Sequence, residues 1–384
     1  MMSNRQRALR AYYAFRLVGP FVYAMWLTVA MLYFATVIST DPFRLALLGV
    51  MLESATFVFE IPTGIVADVY SRKWSIVIGY VIWGIGYLVQ GLAPLYEAVL
   101  LSQVIWGLGF TFVSGAPEAW LVDELGQDEA LPLFLRGAQI GQASTLLGIV
   151  AATLLGGVHI ALPIIVGGIG TIWLALLLAV MMPEKGFQPL AAGSHSPFPF
   201  WTRFRATLSE VRGRAVLRSV IWIGIVIGTS VGGFDAMYTP HFVGNFEMPL
   251  FEPVVWFGIM FGTVTLMTIP TLELAKRAMK RYPQLPIALV LAGFALGTIL
   301  GNLVFVWASS FYLALLAYCS SQILRTATKP LFMAWINLHT PSRMRATVIS
   351  MYWQANACGQ IAGTPILGAV GSLLSLRAAL SLAS

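Results

Sequence analysis

The chain has 384 residues, of which 58% are hydrophobic and 10% are charged. With a mean hydropathy of +0.81, against about a quarter charged residues in a soluble domain, a large soluble core is excluded and a polytopic membrane protein is expected. The net charge of +7 is not a nucleic-acid footprint, because the basic residues fall in short loops between apolar runs rather than on one face.

A membrane-crossing helix needs roughly twenty apolar residues. The runs that qualify are 12–38, 44–67, 74–92, 95–121, 134–157, 160–183, 216–240, 253–275, 286–308, 310–335 and 345–369. Arg5, Arg7 and Arg10 before the first run mimic a signal peptide. That run is too long for one and has no small-residue cleavage site, so an uncleaved first span is expected. Cys319 and Cys358 lie inside apolar runs and define neither a disulfide framework nor a redox compartment.

The second and third runs are joined by a very short charged turn, which demands an antiparallel helical hairpin. The stretch Glu60-Ile61-Pro62-Thr63-Gly64-Ile65-Val66-Ala67-Asp68-Val69-Tyr70-Ser71-Arg72-Lys73-Trp74 holds it. A carboxylate at such a helix end can cap backbone donors and pair with nearby arginines. Higher up the same helix, Glu53 and Glu60 are seven residues apart and share a face. Glu60 is about 12 Å along the axis from Asp68. A carboxyl so deep is costly to keep charged, which suits a proton carrier unless a basic group of a neighbouring span pairs with it.

The fourth run ends in Glu118, Asp123 and Glu124, and Arg136 opens the fifth. The carboxylates are expected to form an ion-pair cluster with Arg72 and Arg136. In the fifth run Gly137, Gly141 and Gly148 permit close helix packing, as do Gly359 and Gly363 in the eleventh. The longest loop, 184–215, is first rich in Pro, Gly and Ser and then basic. Trp201, Phe204, Leu208 and Val211 recur at helical spacing among arginines there, which reads as an amphipathic helix on the inner membrane surface. It divides an N-terminal six-helix bundle (1–183) from a C-terminal bundle (216–384).

The seventh run carries Asp235 among Gly232, Gly233, Pro240 and His241. Asp235 can bind a cation or proton, or be solvated near the outer mouth. For His241 the solvated position is the expected one. In the tenth run Arg325 and Lys329 lie one turn apart, which suggests an anionic substrate or carboxylate partners, although Lys329 can snorkel to the edge. Trp26, Tyr33, Trp83, Trp106, Trp256 and Tyr352 line an apolar cavity or serve as interface belt and packing. The residues after Gly371 are apolar but too few to cross, so the chain is expected to stop inside its last helix.

The two halves read as copies. Ile61-Pro62-Thr63 recurs as Ile269-Pro270-Thr271, each before a basic turn, and Ser102-Gln103 recurs as Ser321-Gln322. Such a parallel repeat places substrate between the halves. Placing the N-terminus inside puts nearly all loop arginines and lysines, including Lys276, Arg277, Lys280 and Arg281, on the cytoplasmic side, leaving Arg44 and Arg377 outside.

Gly64, Asp68, Arg72 and Lys73 fall on the signature G-x-x-x-D-(R/K)-x-G-(R/K)-(R/K) of the major facilitator superfamily, with Val69 where a basic residue is usual and Ser71 where glycine is usual. With Ala119 to Leu125, Gly233-Phe234-Asp235 and Arg345 to Ser350, the chain resembles the tetracycline- and macrolide-efflux-like bacterial members of that superfamily. The resemblance implies an all-α major facilitator fold of two pseudo-repeated bundles, with about eleven full spans and an incomplete twelfth. It implies alternating access in a bacterial inner membrane, with proton entry driving efflux of small hydrophobic compounds. It also implies a gate in which Asp68 faces Arg345 and Arg72 pairs with Asp123. The proline-containing glycine motif common in the fifth span of drug antiporters is missing.

Two rivals stay open: an uptake symporter or uniporter for a polar or anionic metabolite, and a non-transporting sensor or decayed copy. The expected partners are a small-molecule substrate, protons and the lipid bilayer, with no nucleic acid, and the expected state is a monomer. No phosphate loop, no metal-ligand spacing and no nucleophile with a nearby base is visible, so no enzyme activity and no cofactor are expected.

Overall fold

The computed structural model describes residues 3–188, 215–282, 284, 286–340 and 345–384. Among them no strand occurs. The first half contains α1 (Asn4–Tyr33, continued by a π-helical turn, Phe34–Ile38), α2 (Pro42–Val69), α3 (Arg72–Leu92), α4 (Tyr96–Val113), α5 (Ala116–Leu125), α6 (Gln127–Val158) and α7 (Leu162–Met181). The second contains α8 (Ala215–Asn245), α9 (Pro253–Arg281), α10 (Ile287–Trp307), α11 (Phe311–His339), α12 (Arg345–Leu373) and α13 (Leu376–Ala383). The amphipathic helix expected around Trp201 to Arg214 lies outside the described residues.

Local chemistry sets the helix ends. Ser3 accepts from the Gln6 amide and the Gln6 side chain accepts from the Ser3 amide, so α1 begins with a reciprocal cap well before the apolar run. Two residues, Tyr70 and Ser71, join α2 to α3, and the Ser71 hydroxyl caps α3 by accepting from Trp74 N–H at 2.9 Å. The fourth span is broken where continuity is expected. Gly115 adopts φ +72°, and Pro117 in the first turn of α5 brings no N–H to a preceding helix.

The helices gather into two compact units, one of Met1–Ser39 and Met51–Ala206, the other of Thr40–Val50 and Thr207–Ser384. In the first, α1 packs along α6 and α7, and α3 along α4 and α7. In the second, α8 packs along α12 and α13, and α10 along α11. Counted as spans, first-with-fifth, first-with-sixth and third-with-fourth recur as seventh-with-eleventh, seventh-with-twelfth and ninth-with-tenth. The first turns of α2 belong to the second unit. Gly368 and Gly371 of α12 leave room for Pro42 and Ala46, and Phe43 N–H donates to Ser372 Oγ at 3.0 Å.

Equivalent side chains also repeat. Thr63 Oγ1 donates to the Phe59 carbonyl and Thr271 Oγ1 to the Met267 carbonyl, both at 2.8 Å. Each hydroxyl follows an in-helix proline, Pro62 or Pro270, and bonds back to the carbonyl four residues before it. Ser102 and Ser321 donate to carbonyls three residues back, and Gln103 and Gln322 beside them are buried.

Glycine makes the two principal seams possible. A Cβ at Gly148 of α6 would strike the Phe21 carbonyl of α1, and one at Gly359 of α12 would strike the Ile225 carbonyl of α8. Apolar burial drives little association in lipid, so close backbone approach and dispersion hold such pairs. Gly148→Leu is expected to destabilise the first unit by about 1–3 kcal/mol, read as a lower unfolding midpoint in detergent. Gly157→Leu on the same helix, where nothing lies near a Cβ, should leave the midpoint unchanged.

Candidate functional site

The turn between α2 and α3 assembles a charged cluster inside the first unit. Arg72, in the first turn of α3, lies 2.6 Å from Asp123 of α5 and 3.5 Å from Asp68, one turn back on α2. One guanidinium thus joins three helices. The Arg72 and Asp123 side chains are 18% and 24% exposed, so the shorter contact is poorly screened and worth more than a surface pair.

Glu184, which follows α7, completes the arrangement. Its carboxylate accepts from Ser71 Oγ at 2.7 Å and from Lys73 N–H at 2.9 Å. A negative charge there satisfies donors at the N-terminus of α3. The serine in the signature's glycine position therefore has two jobs, capping α3 and holding Glu184. Glu124 accepts from the backbone N–H groups of Lys185 and Gly186 and from Asn4 Nδ2. Trp120 Nε1 donates to the Pro183 carbonyl at 2.8 Å.

The expected cluster is narrower than the sequence suggests. Arg136 and Glu118 are exposed, and neither forms an ion pair among the described residues. Lys73 directs its ammonium over the Trp74 ring at 5.6 Å. Gly64 lies inside α2 with open space where a Cβ would stand. Arg345 is exposed and donates to the Asn337 carbonyl at 3.1 Å.

Higher on α2, Glu53 is half-buried and Glu60 exposed. Neither carboxyl has an ion pair or hydrogen bond among the described residues. A structural pair with a basic group, the alternative left open by sequence, is thus not found there.

In the second unit Arg325 of α11 donates to Asp235 of α8 at 2.8 Å. The pair stands beside the stacked rings of Tyr238 and Tyr318, centred 4.9 Å apart. Asp235 therefore has a protein partner, and Arg325 a counter-charge. Lys329 is exposed and pairs with no carboxylate among the described residues. His241 is not solvated as expected. It is 0% exposed, with its ring edge-to-face on Phe305 at 4.9 Å and Asn245 Nδ2 at 3.2 Å from its Nδ1. A tight aromatic pack around α8 closes over it.

Three features escaped the sequence reading. Arg16 of α1 donates to the Gly137 carbonyl at 2.9 Å. A lone arginine inside a long apolar run was the available signal. The role of Glu184 left no motif to find. Gln90 of α3 accepts at Oε1 from Trp26 Nε1 and from Gln103 Nε2, each at 3.3 Å, among stacked indole and phenol rings.

Asp123→Ala should cost about 1–3 kcal/mol and Asp68→Ala clearly less, because Arg72 sits closer to Asp123. Unfolding midpoints in detergent check the order, and the reverse order would refute the assignment of Asp123 as principal partner. For the second pair, Arg325→Gln and Asp235→Asn should each destabilise by about 2–4 kcal/mol and the double variant by less than the sum of the two. Additive losses in that cycle would mean the two groups do not interact.

The Major Facilitator Superfamily profile matches residues 14–364. Over 343 residues the chain is 19% identical to YxaM of Bacillus subtilis (strain 168), an uncharacterized MFS-type transporter, covering 88% of this chain and 83% of that protein. Among solved structures, the nucleoside transporter NupG superposes with a TM-score of 0.76 at 15% identity, covering 100% of this chain and 96% of that one. A POT family transporter in complex with 5-aminolevulinic acid gives 0.74 at 14%, covering 98% and 93%. A bacterial homologue of the human lysosomal transporter Spinster, inward-facing and unoccupied, gives 0.70 at 16%, covering 97% and 84%. At these identities the structures share the fold alone with this chain. The match along nearly the whole length makes the chain a member of the Major Facilitator Superfamily, a multi-pass membrane transporter.

Proposed function

We propose that the protein exports small, largely hydrophobic compounds in exchange for protons, by alternating access in a bacterial inner membrane. The observation that carries this reading is the pair Glu53 and Glu60. They share one face of α2, and no basic side chain among the described residues pairs with either. Carboxyls so placed bind and release protons more readily than paired ones. The N-terminus and the α2–α3 turn are assigned to the cytoplasmic side on the positive-inside bias. There Asp68, Arg72 and Asp123, braced by Glu184, act as a latch whose rupture accompanies rocking of the helices.

Arg325 supports the hydrophobic cargo. Its charge is met by Asp235 at 2.8 Å, so it is not free to attract an anionic solute. The rival reading, transport of a polar or anionic metabolite, draws on Lys329, exposed one turn away without a paired carboxylate. It also draws on relatives described as a nucleoside transporter and a POT family transporter.

The test uses purified protein in liposomes loaded with a lipophilic fluorescent dye. A pH gradient should drive dye movement and its collapse should stop it. Glu60→Gln should lower gradient-driven transport about ten-fold or more while dye-for-dye exchange persists, and Glu53→Gln should have a smaller effect. Equal loss of both modes would sink Glu60 as coupling group, and gradient-independent transport would sink the antiport itself.

A further inference from the structure

We infer that the aromatic cluster of α1, α3 and α4 is a binding wall for a planar aromatic solute that carries a hydrogen-bond acceptor, a carbonyl oxygen or a ring nitrogen. The inference deepens the export reading and names the class of its cargo. It stands on geometry inside the first unit and does not depend on transport direction or proton coupling.

The rings form one continuous body. Trp26 lies parallel to Tyr87, centroids 5.4 Å apart, and 4.3 Å from Trp106. Trp83 stands 6.1 Å from Trp106 and edge-to-face against Tyr23 and Phe110, at 6.1 and 5.8 Å. Ring edges and faces at such spacings are complementary to a further flat π-system.

The hydrogen-bond count is unbalanced. Trp83 Nε1, Trp106 Nε1, Gln90 Nε2 and the Tyr87 hydroxyl are all buried; among the described residues Trp106 Nε1 and Gln90 Nε2 have no partner, and Trp83 Nε1 and the Tyr87 hydroxyl have only each other. The first three can only donate. The side-chain acceptor at the base of the cluster, Gln90 Oε1, already takes two donors, from Trp26 and Gln103. Buried orphan polar groups are few in native proteins and each is costly. Two orphan donors in one cluster mark a place that lacks an acceptor. A purely apolar cargo would leave both of them unpaired, whereas a solute with a carbonyl or ring nitrogen would satisfy one or two.

Access lies along the rim. Tyr23 and Phe110 are 38% and 40% exposed, and both stand directly on Trp83. A rotamer change of the Phe110 ring, an ordinary event for a half-exposed side chain, would uncover the side of the Trp83 ring that it stands against. Behind it the same rings lead to Trp106 and Tyr87.

Full-length protein in lipid nanodiscs is tested by equilibrium dialysis with two probes, 1-methyl-4-quinolone and 1-methylnaphthalene. Both present two fused rings, but only the first offers a carbonyl acceptor. After subtraction of binding to empty nanodiscs, the quinolone should bind about ten-fold more tightly than the hydrocarbon. Trp83→Phe and Trp106→Phe keep a ring and delete the N–H. Each should weaken quinolone binding about five-fold and hydrocarbon binding less than two-fold, while Trp222→Phe, at an exposed position on α8, changes neither.

Unfolding midpoints are recorded alongside, and Tyr87→Phe, which loses one hydroxyl and no ring, serves if an indole variant fails to fold. Equal affinity for the two probes, equal loss of both in the variants, or no binding above empty nanodiscs would overturn the inference. Selective quinolone binding without gradient-driven export would refute the export reading and leave this one standing.

Discussion

A charge inside an apolar helical bundle must find a counter-charge or lose its charge, and this demand orders much of the structure. Each unit meets it with an arginine and an aspartate brought together from distant parts of the chain: Arg72 with Asp123, and Arg325 with Asp235. The desolvation cost of either partner alone would exceed what packing around it returns, so each pair ties its helices together. Arg16 meets the same demand differently, by donating to a backbone carbonyl of α6. Glu53 and Glu60 do not meet it among the described residues, and that exception is why they are proposed as the proton groups.

The pairs are held on a frame built by close approach. Small residues bring α6 against α1 and α12 against α8, where a single added Cβ would meet backbone. Such seams leave no room to slide by fractions of a side chain. Motion is therefore expected at the charged turns and the proline-bearing stretches, where Thr63 and Thr271 bond back to backbone carbonyls. The charged cluster around Arg72 has the opposite character to the seams. It is made of few, directional contacts, with Asp68 half-exposed and 3.5 Å away, and it can break without unpacking a core.

Much of this was legible in the sequence because membrane helices announce themselves by length and by the placement of charge. The spans, the hairpin before Trp74, the glycine seams and the internal repeat all follow from local patterns. The partnership of Arg72 with Asp123 was implied by the family resemblance, Arg72 lying on the signature and Asp123 in the stretch Ala119 to Leu125. What stayed hidden depends on distance along the chain. Asp235 and Arg325 are 90 residues apart, and nothing local says that one answers the other. His241 looks like a solvated histidine near a helix end, yet Phe305 and its neighbours close over it. Ser71 reads as a lapse from the signature until Glu184, more than a hundred residues on, is seen to accept from it. The break at Gly115 was concealed by an apolar run that continues on both sides.

The balance between a hydrophobic and an anionic cargo turns on where positive charge is left uncompensated. A guanidinium 2.8 Å from a carboxylate presents a dipole rather than a net charge to anything farther away, and its attraction for an anion falls accordingly. To recruit an anion, Arg325 would first have to be released from Asp235, and the free energy of that release would be subtracted from the affinity. The first unit imposes no such cost on an uncharged aromatic guest. Its rings are already assembled, and the Trp106 N–H would gain a partner that it lacks among the described residues. On that comparison the site is better matched to a flat, neutral, acceptor-bearing molecule than to an anion, and the proposed proton coupling at α2 would not require the cargo to carry any charge of its own.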